Sequence, residues 1–270
     1  MAPRGQGGLA VKFSLWHRAN AETVVAEARK QLLKQIPSTS RRQFLSHGLT
    51  LGGLGLLSGC SIDDNASAEA ALSRISRLND RVQGWLFDPT RLAPTYPDSM
   101  ITRPFPFNAF YSEDKAPQVN GDTFRLEVSG LVADKHRWQL HELRALPQHS
   151  QVTRHICVEG WSAIGKWGGP RFADFLRAVG ADLSARYVGF QCADDYYTSI
   201  DMATALHPQT LLALDWDGQP LPAKYGFPMK LRMPTKLGYK NPKHIQAIFV
   251  SNTFNRGYWE DQGYNWFGGS

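Results

Sequence analysis

Arg154-His155-Ile156-Cys157-Val158-Glu159-Gly160-Trp161-Ser162 is the densest run of reactive side chains in the chain. Val152 to Val158 reads as a strand, so Cys157 lies at a strand end, where the chain enters a loop containing Gly and Trp. A thiolate in that position suits a soft or high-valent metal. Arg154 would favour the charged thiolate. Glu159, two residues on, could hydrogen-bond the ligand set or relay a proton. The alternative is a buried structural cysteine, because free Cys is among the most buried residue types.

Working outward, Phe124 to Val128 alternates as a strand and Gly130 ends it. Leu140 to Leu146 predicts a short helix stopped by Pro147. Arg171 to Val179 predicts another, with Phe172, Phe175, Leu176 and Val179 on one face and Gly180 at the cap. Tyr187 to Cys192 reads as a strand, Ile200 to Ala205 as a helix, and Leu211 to Leu214 as a buried strand. Asp217-Gly218 is a hairpin turn signal. Lys230 to Met233 and His244 to Asn252 supply two more strands. The fold class is therefore mixed α+β, with many strands and few helices. No internal repeat and no dinucleotide-binding glycine pattern is present.

The N-terminal region has a different character. Ser40-Arg41-Arg42-Gln43-Phe44-Leu45 reads as a twin-arginine export signal, and Leu57-Ser58-Gly59-Cys60 as a lipoprotein cleavage box. Leu49 to Gly59 is too short and Gly-rich to span a bilayer. Trp16 to Lys34 could form an amphipathic helix. Residues 1–60 carry eight Lys and Arg against two Asp and Glu, so the whole formal charge of +6 resides there. The remainder is neutral and offers no argument for a nucleic-acid partner. Residues 1–60 are expected to be a signal region, 61–106 a tether with an extended Pro-rich segment, and 107–270 the catalytic domain. Ser61 to Ala70 has the small, polar composition of a tether.

Of the three cysteines, Cys60 is the candidate for lipidation. Cys157 and Cys192 could pair as a disulfide, or one could ligate a metal. No CxxC or Cys/His cluster supports a zinc or iron–sulfur site. His207 precedes Pro208 and could face a site, or be a satisfied structural histidine. Lys236, Lys240 and Lys243 surround Gly238 in a loop. That combination can cradle a phosphate, or be an ordinary solvated basic loop. The tryptophans at 161, 167, 259 and 266 could line a funnel over a planar cofactor, or simply pack.

Taken together, four segments resemble the sulfite-oxidase family of molybdopterin enzymes. They are Arg154 to Ser162 followed by Trp167-Gly168-Gly169, then Pro208 to Leu214, Leu231-Arg232-Met233-Pro234, and Gly238-Tyr239-Lys240-Asn241-Pro242-Lys243. Asn108-Ala109-Phe110-Tyr111 resembles an upstream pterin-contacting segment. The likeness extends to bacterial exported catalytic subunits that reduce protein methionine sulfoxide.

The resemblance implies one molybdenum and one pterin, with Cys157 as the metal ligand. Asn108, Tyr111, Cys192, Lys230, Lys236, Lys240, Asn241, Pro242 and Lys243 are then expected around the pterin, and Glu159 and His207 near the metal. It also implies oxygen-atom transfer, with either a sulfoxide reduced or sulfite or another small molecule oxidised. A non-catalytic exported binding protein is the remaining alternative. Ser112, Cys192, Tyr225 and Lys230 depart from the reductase pattern, which bears on substrate more than on cofactor. No haem or flavin site is evident, so a separate electron partner is expected, by resemblance a membrane haem protein. The protein is expected in the periplasm as a monomer, anchored through Cys60.

Overall fold

The computed structural model describes residues 65–270. The twin-arginine pair, the Cys60 box and the 16–34 segment lie outside the described residues. Residues Glu69–Ser270 form one compact unit. It opens on helix α1 (Asn65–Leu86), which begins inside the stretch that reads as a tether. Residues 87–126 then run across the body with little regular structure, as their prolines dictate.

The first sheet has the order β1-β10-β4-β5. Its strands are β1 (Glu127–Gly130), β4 (Tyr187–Cys192), β5 (Tyr197–Asp201) and β10 (Ile245–Ser251). β1 runs parallel to β10, and the other pairs are antiparallel. The second sheet, β2-β3-β7-β8, comprises β2 (Gln148–Ile156), β3 (Ser162–Pro170), β7 (Asp215–Trp216) and β8 (Gln219–Pro220). A separate pair joins β6 (Leu211–Ala213) to β9 (Lys230–Arg232).

Four short helices complete the body: α2 (Leu140–Ala145), α3 (Phe172–Ala178), α4 (Met202–Leu206) and α5 (Tyr258–Asp261). α2 starts on a reciprocal cap between Gln139 and Glu142, which satisfies two otherwise orphaned backbone donors. α4 starts where the Asp201 carboxylate accepts from Thr204 N at 2.7 Å.

The main core lies between α3 and the first sheet. Phe172, Phe175 and Leu176 meet Val188, Phe190, Ile248 and Val250 there, all buried. A second, aromatic core joins Phe105, Trp167 and Tyr225, with Trp216 packed against it. Tyr225 Oη reaches the Phe105 carbonyl at 2.8 Å, so this polar tip is satisfied inside an apolar cluster.

The mixed α+β class holds, and one local expectation is corrected. The stretch after Trp161, to which the sequence reading assigned no element, is a full strand, β3. Its glycines at 165, 168 and 169 dilute the alternation, while pairing with β2 along its whole length supplies the order. Residues 197–201 form strand β5, and the helix begins only at Met202. Partnership with β4 outweighs local propensity there.

Candidate active site

β2 and β3 form a hairpin whose last paired residues are Ile156 and Ser162. Residues 157–161 are its loop. Cys157 N donates to the Trp161 carbonyl at 2.9 Å, and Gly160 N donates to the Cys157 carbonyl at 3.2 Å. Gly160 has φ +93°, which explains a glycine there. The loop turns the Cys157 thiol into a cavity of about 110 Å³ shared with Asn108, Glu159, Gly238, Tyr239 and Lys243.

The thiol donates to Glu159 Oε2 at 3.6 Å. Trp161 Nε1 donates to the same oxygen at 2.9 Å, so the indole fixes the carboxylate beside the sulfur. Burial pushes the Cys157 pKa up to about 11, and the Glu159 charge adds to the shift. Without a cation the sulfur is a thiol at neutral pH; a bound metal would hold it as thiolate.

Behind the thiol lies a cluster of buried basic side chains. Lys230, Arg232 and His155 are all buried, and Lys243 lines the cavity. Lys230 is held far below its usual pKa by burial, then by Lys243 and Arg232. Its ammonium lies 4.6 Å from the Trp167 ring centroid. Burial, then Arg232, Lys230 and Lys243, depress His155 in the same way. Lys243 falls to about 8 through burial, with Asp194 pulling the other way. Its ammonium donates to the Asn108 carbonyl at 2.8 Å.

Several buried polar atoms here have no protein partner: both His155 ring nitrogens, His244 Nε2 and Arg232 Nε. Such atoms are costly unless something satisfies them. Gly238 closes against the same place, where an added Cβ would lie 2.7 Å from His155 Nε2 and 3.3 Å from Asn108 Nδ2. Unsatisfied donors, buried cations and a side-chain-free wall beside a thiol fit an anionic, nitrogen-rich cofactor carrying a soft metal. Among the described residues no group of three or more His, Cys, Asp and Glu could hold a metal. A single protein thiolate alongside ligands from a cofactor needs no such group.

The structure gathers some of the sequence candidates and separates others. Asn108, Cys157, Glu159, Asn241, Pro242 and Lys243 line one cavity. Tyr111 sits at its edge and donates to Asp194 at 2.9 Å. Cys192 is a buried free thiol, as is Cys157, so no disulfide joins them. Burial holds the Cys192 pKa well above the usual thiol range. The Asn241 side chain is spent on the fold, accepting from Met233 N at 2.6 Å and donating to the Leu237 carbonyl at 3.0 Å.

Lys236 and Lys240 do not reach the cavity. The Lys236 ammonium donates to the Phe267 carbonyl at 2.9 Å, and that of Lys240 pairs with Glu260. His207 is also elsewhere. Its Nε2 faces the Arg91 carbonyl at 3.0 Å, and its Nδ1 accepts from Gln209 N at 3.1 Å. Sequence reasoning missed His155 and Arg232 as members of the buried basic wall, and Tyr196, Tyr239 and Tyr264 as cavity lining, whereas Trp259, suggested as funnel lining, does line the cavity. His155 was legible in principle, two residues before Cys157 on the strand that carries it.

This cavity and fold define a molybdopterin enzyme. Residues 113–259 match the oxidoreductase molybdopterin binding domain, and the chain belongs to that family; it is a molybdopterin-dependent oxidoreductase. Membership implies a molybdenum–molybdopterin cofactor. A protein of Azospira oryzae named "Putative protein-methionine-sulfoxide reductase subunit YedZ1" is 69% identical over 252 residues, covering 93% of this chain and 96% of its own. The protein-methionine-sulfoxide reductase catalytic subunit MsrP of Ralstonia nicotianae is 31% identical, over 57% of this chain and 55% of its own. The mitochondrial sulfite oxidase of Drosophila melanogaster is 30% identical, over 56% and 31%.

Proposed function

We propose that this chain is an exported oxygen-atom transferase that reduces sulfoxides, methionine sulfoxide in proteins foremost, using electrons from a separate redox partner. The observation that carries the reading is the chemistry of the cavity mouth. Phe110, Val158 and Tyr264 are exposed around it, and Phe110 stacks on Tyr258 at 4.8 Å. Two carboxylates, Glu159 and Asp194, share the lining with a single basic residue, Lys243. An anion such as sulfite would approach those carboxylates unfavourably. A neutral sulfoxide on an apolar side chain would bury its substituents against the rings.

Cys157 would ligate the molybdenum, and Lys230, Arg232, Lys243 and His155 would hold the anionic part of the pterin. When bound, that cofactor supplies the oxygen acceptor and the two electrons. Sulfoxide, two electrons and two protons give thioether and water. Glu159, oriented by Trp161, would relay a proton to the sulfoxide oxygen, and the aromatic rim would limit bulk water. The export signal at Arg41-Arg42 supports a periplasmic location, and the Cys60 box supports a lipid anchor. The 69% identical relative, whose name describes a reductase subunit, supports electrons arriving from another protein, by resemblance a membrane haem protein.

The test is turnover of the molybdenum-loaded enzyme with a redox dye in both directions. Methionine-sulfoxide peptides should be reduced roughly 100-fold faster than sulfite is oxidised, a preference of ~2.7 kcal/mol in the transition state. The opposite preference selects a sulfite oxidase. Cys157→Ser should abolish turnover and remove a sulfur from the metal's X-ray absorption spectrum; an unchanged sulfur count would refute the ligand assignment.

A further inference from the structure

Helix α1 packs with its polar side inward. Ser73, Ser76, Asp80 and Gln83 recur every three or four residues and are its partly covered positions. Asp80 Oδ1 accepts from Asn265 Nδ2 at 2.6 Å and from Phe267 N at 3.0 Å. Gln83 Oε1 accepts from Gly269 N at 3.4 Å. These bonds fix which side of the helix faces the body.

The opposite side is apolar and open. Ile75 is 63% exposed, Leu78 60%, Val82 44%, Trp85 83% and Leu86 67%. At ~100° of rotation per residue these five fall within about 100° of the helix circumference. Exposed Arg74, Arg77 and Arg81 run along one flank of the stripe, and none has a carboxylate partner among the described residues. An ordinary surface helix has the reverse arrangement, with its apolar stripe on the core.

We propose that this face binds the surface of a bilayer rich in anionic phospholipid. The stripe would lie in the boundary between headgroups and acyl chains, with Trp85 at the interface and the three arginines on lipid phosphates. Charge decides for lipid: a row of unpaired arginines beside an apolar stripe complements an anionic surface. Chain continuity agrees, because α1 begins at Asn65, five residues after the Cys60 box. The inference is independent of the reaction at Cys157. It makes the helix, rather than a lipid on Cys60 alone, the element that orients the domain on the membrane.

The test is vesicle flotation of the full-length, molybdenum-loaded protein carrying Cys60→Ala, so that a lipid anchor cannot dominate. It should float with phosphatidylglycerol-containing vesicles and roughly tenfold less with pure phosphatidylcholine or in high salt. Residues 1–60 are basic and could add their own attraction, so the variants are compared within the same full chain. Leu78→Ser with Trp85→Ser should reduce binding by at least about tenfold. Arg74, Arg77 and Arg81 all changed to Gln should erase the preference for anionic lipid. Both variants should keep their molybdenum and their dye-linked turnover. Flotation of the stripe variant equal to the parent's overturns the proposal. So does a parent that ignores vesicles while the stripe variant alters oligomeric mass or slows electron uptake from a protein partner, since the face then docks protein.

Discussion

Two groups of buried cations lie within fourteen residues of each other and are handled in opposite ways. Lys236 and Lys240 are also depressed by burial, but each faces a carboxylate. Lys240 pairs with buried Glu260 and donates to Thr198 Oγ1 at 3.0 Å and the Ser199 carbonyl at 2.8 Å. Lys236 has Asp201 at 3.7 Å, the Phe267 carbonyl, and the Phe267 ring 3.0 Å from its ammonium. Among the described residues Lys230 and Arg232 have no carboxylate partner. Each is depressed by burial, and Lys230 further by its cationic neighbours. For Lys243 the carboxylate that opposes burial is Asp194. The first group is internal architecture, tying α5 and the turn Gly238–Lys240 to β5. The second carries a desolvation cost that fewer carboxylates offset, in keeping with the anion site proposed above.

Breaking the first group should have the larger effect. Glu260→Gln strands a buried Lys240 and should cost ~3–5 kcal/mol in denaturant unfolding. Replacing both partners by apolar residues of similar volume should recover much of that loss. A small effect of the single change would erase the distinction between the groups.

Lys243→Met tests the second group. It should lower molybdenum content measured on purified protein, while unfolding of the molybdenum-free protein is unchanged or stabilised by about 1–2 kcal/mol, because an uncompensated charge has gone. Full cofactor occupancy after this change would make the loop a structural feature only.

A further expected effect is in pH. Burial lowers Lys236 to about 7, against about 10.4 in an unfolded chain. Between those values the unfolded state holds more protons, so this lysine makes stability rise with pH, by up to ~1.4 kcal/mol per pH unit. Below about 7 both states are charged and the full penalty persists. The rise should show between pH 7 and 9; above that the buried thiols, whose folded pKa values are raised, oppose it. Lys236→Met should flatten the slope, and an equal slope in the variant would assign it to other groups.

What the sequence revealed follows the range of the interactions involved. The ends of α2 and α3 and the Asp217-Gly218 turn were legible because caps, prolines and turn residues act over a few positions. So was the Cys157 loop, whose reactive types are contiguous. β3 and β5 were not, because partner strands rather than local propensity order them. The partition of the lysines was also hidden. Lys236, Lys240 and Lys243 look alike within one basic loop, and only distant residues decide their roles: Glu260 and Asp201 for two of them, Asn108 and Asp194 for the third. His207 follows the same logic, because its partner Arg91 lies 116 residues away. The resemblance identified the cofactor family correctly, while side-chain direction within the phosphate-like loop needed coordinates.

The hairpin of β2 and β3 gives the sulfur its address. Nine consecutive residue pairs, from Gln148–Pro170 to Ile156–Ser162, lock the register of the two strands. A strand reverses its side chains at every step, so sliding β3 by one residue would exchange the two faces of its pairing and redraw the loop that aims Cys157. The rim residues Phe110, Val158 and Tyr264 are under no such constraint. On the proposed function, substrate preference can drift by exchange of rim side chains, while an insertion of a single residue in this hairpin would relocate the thiol itself.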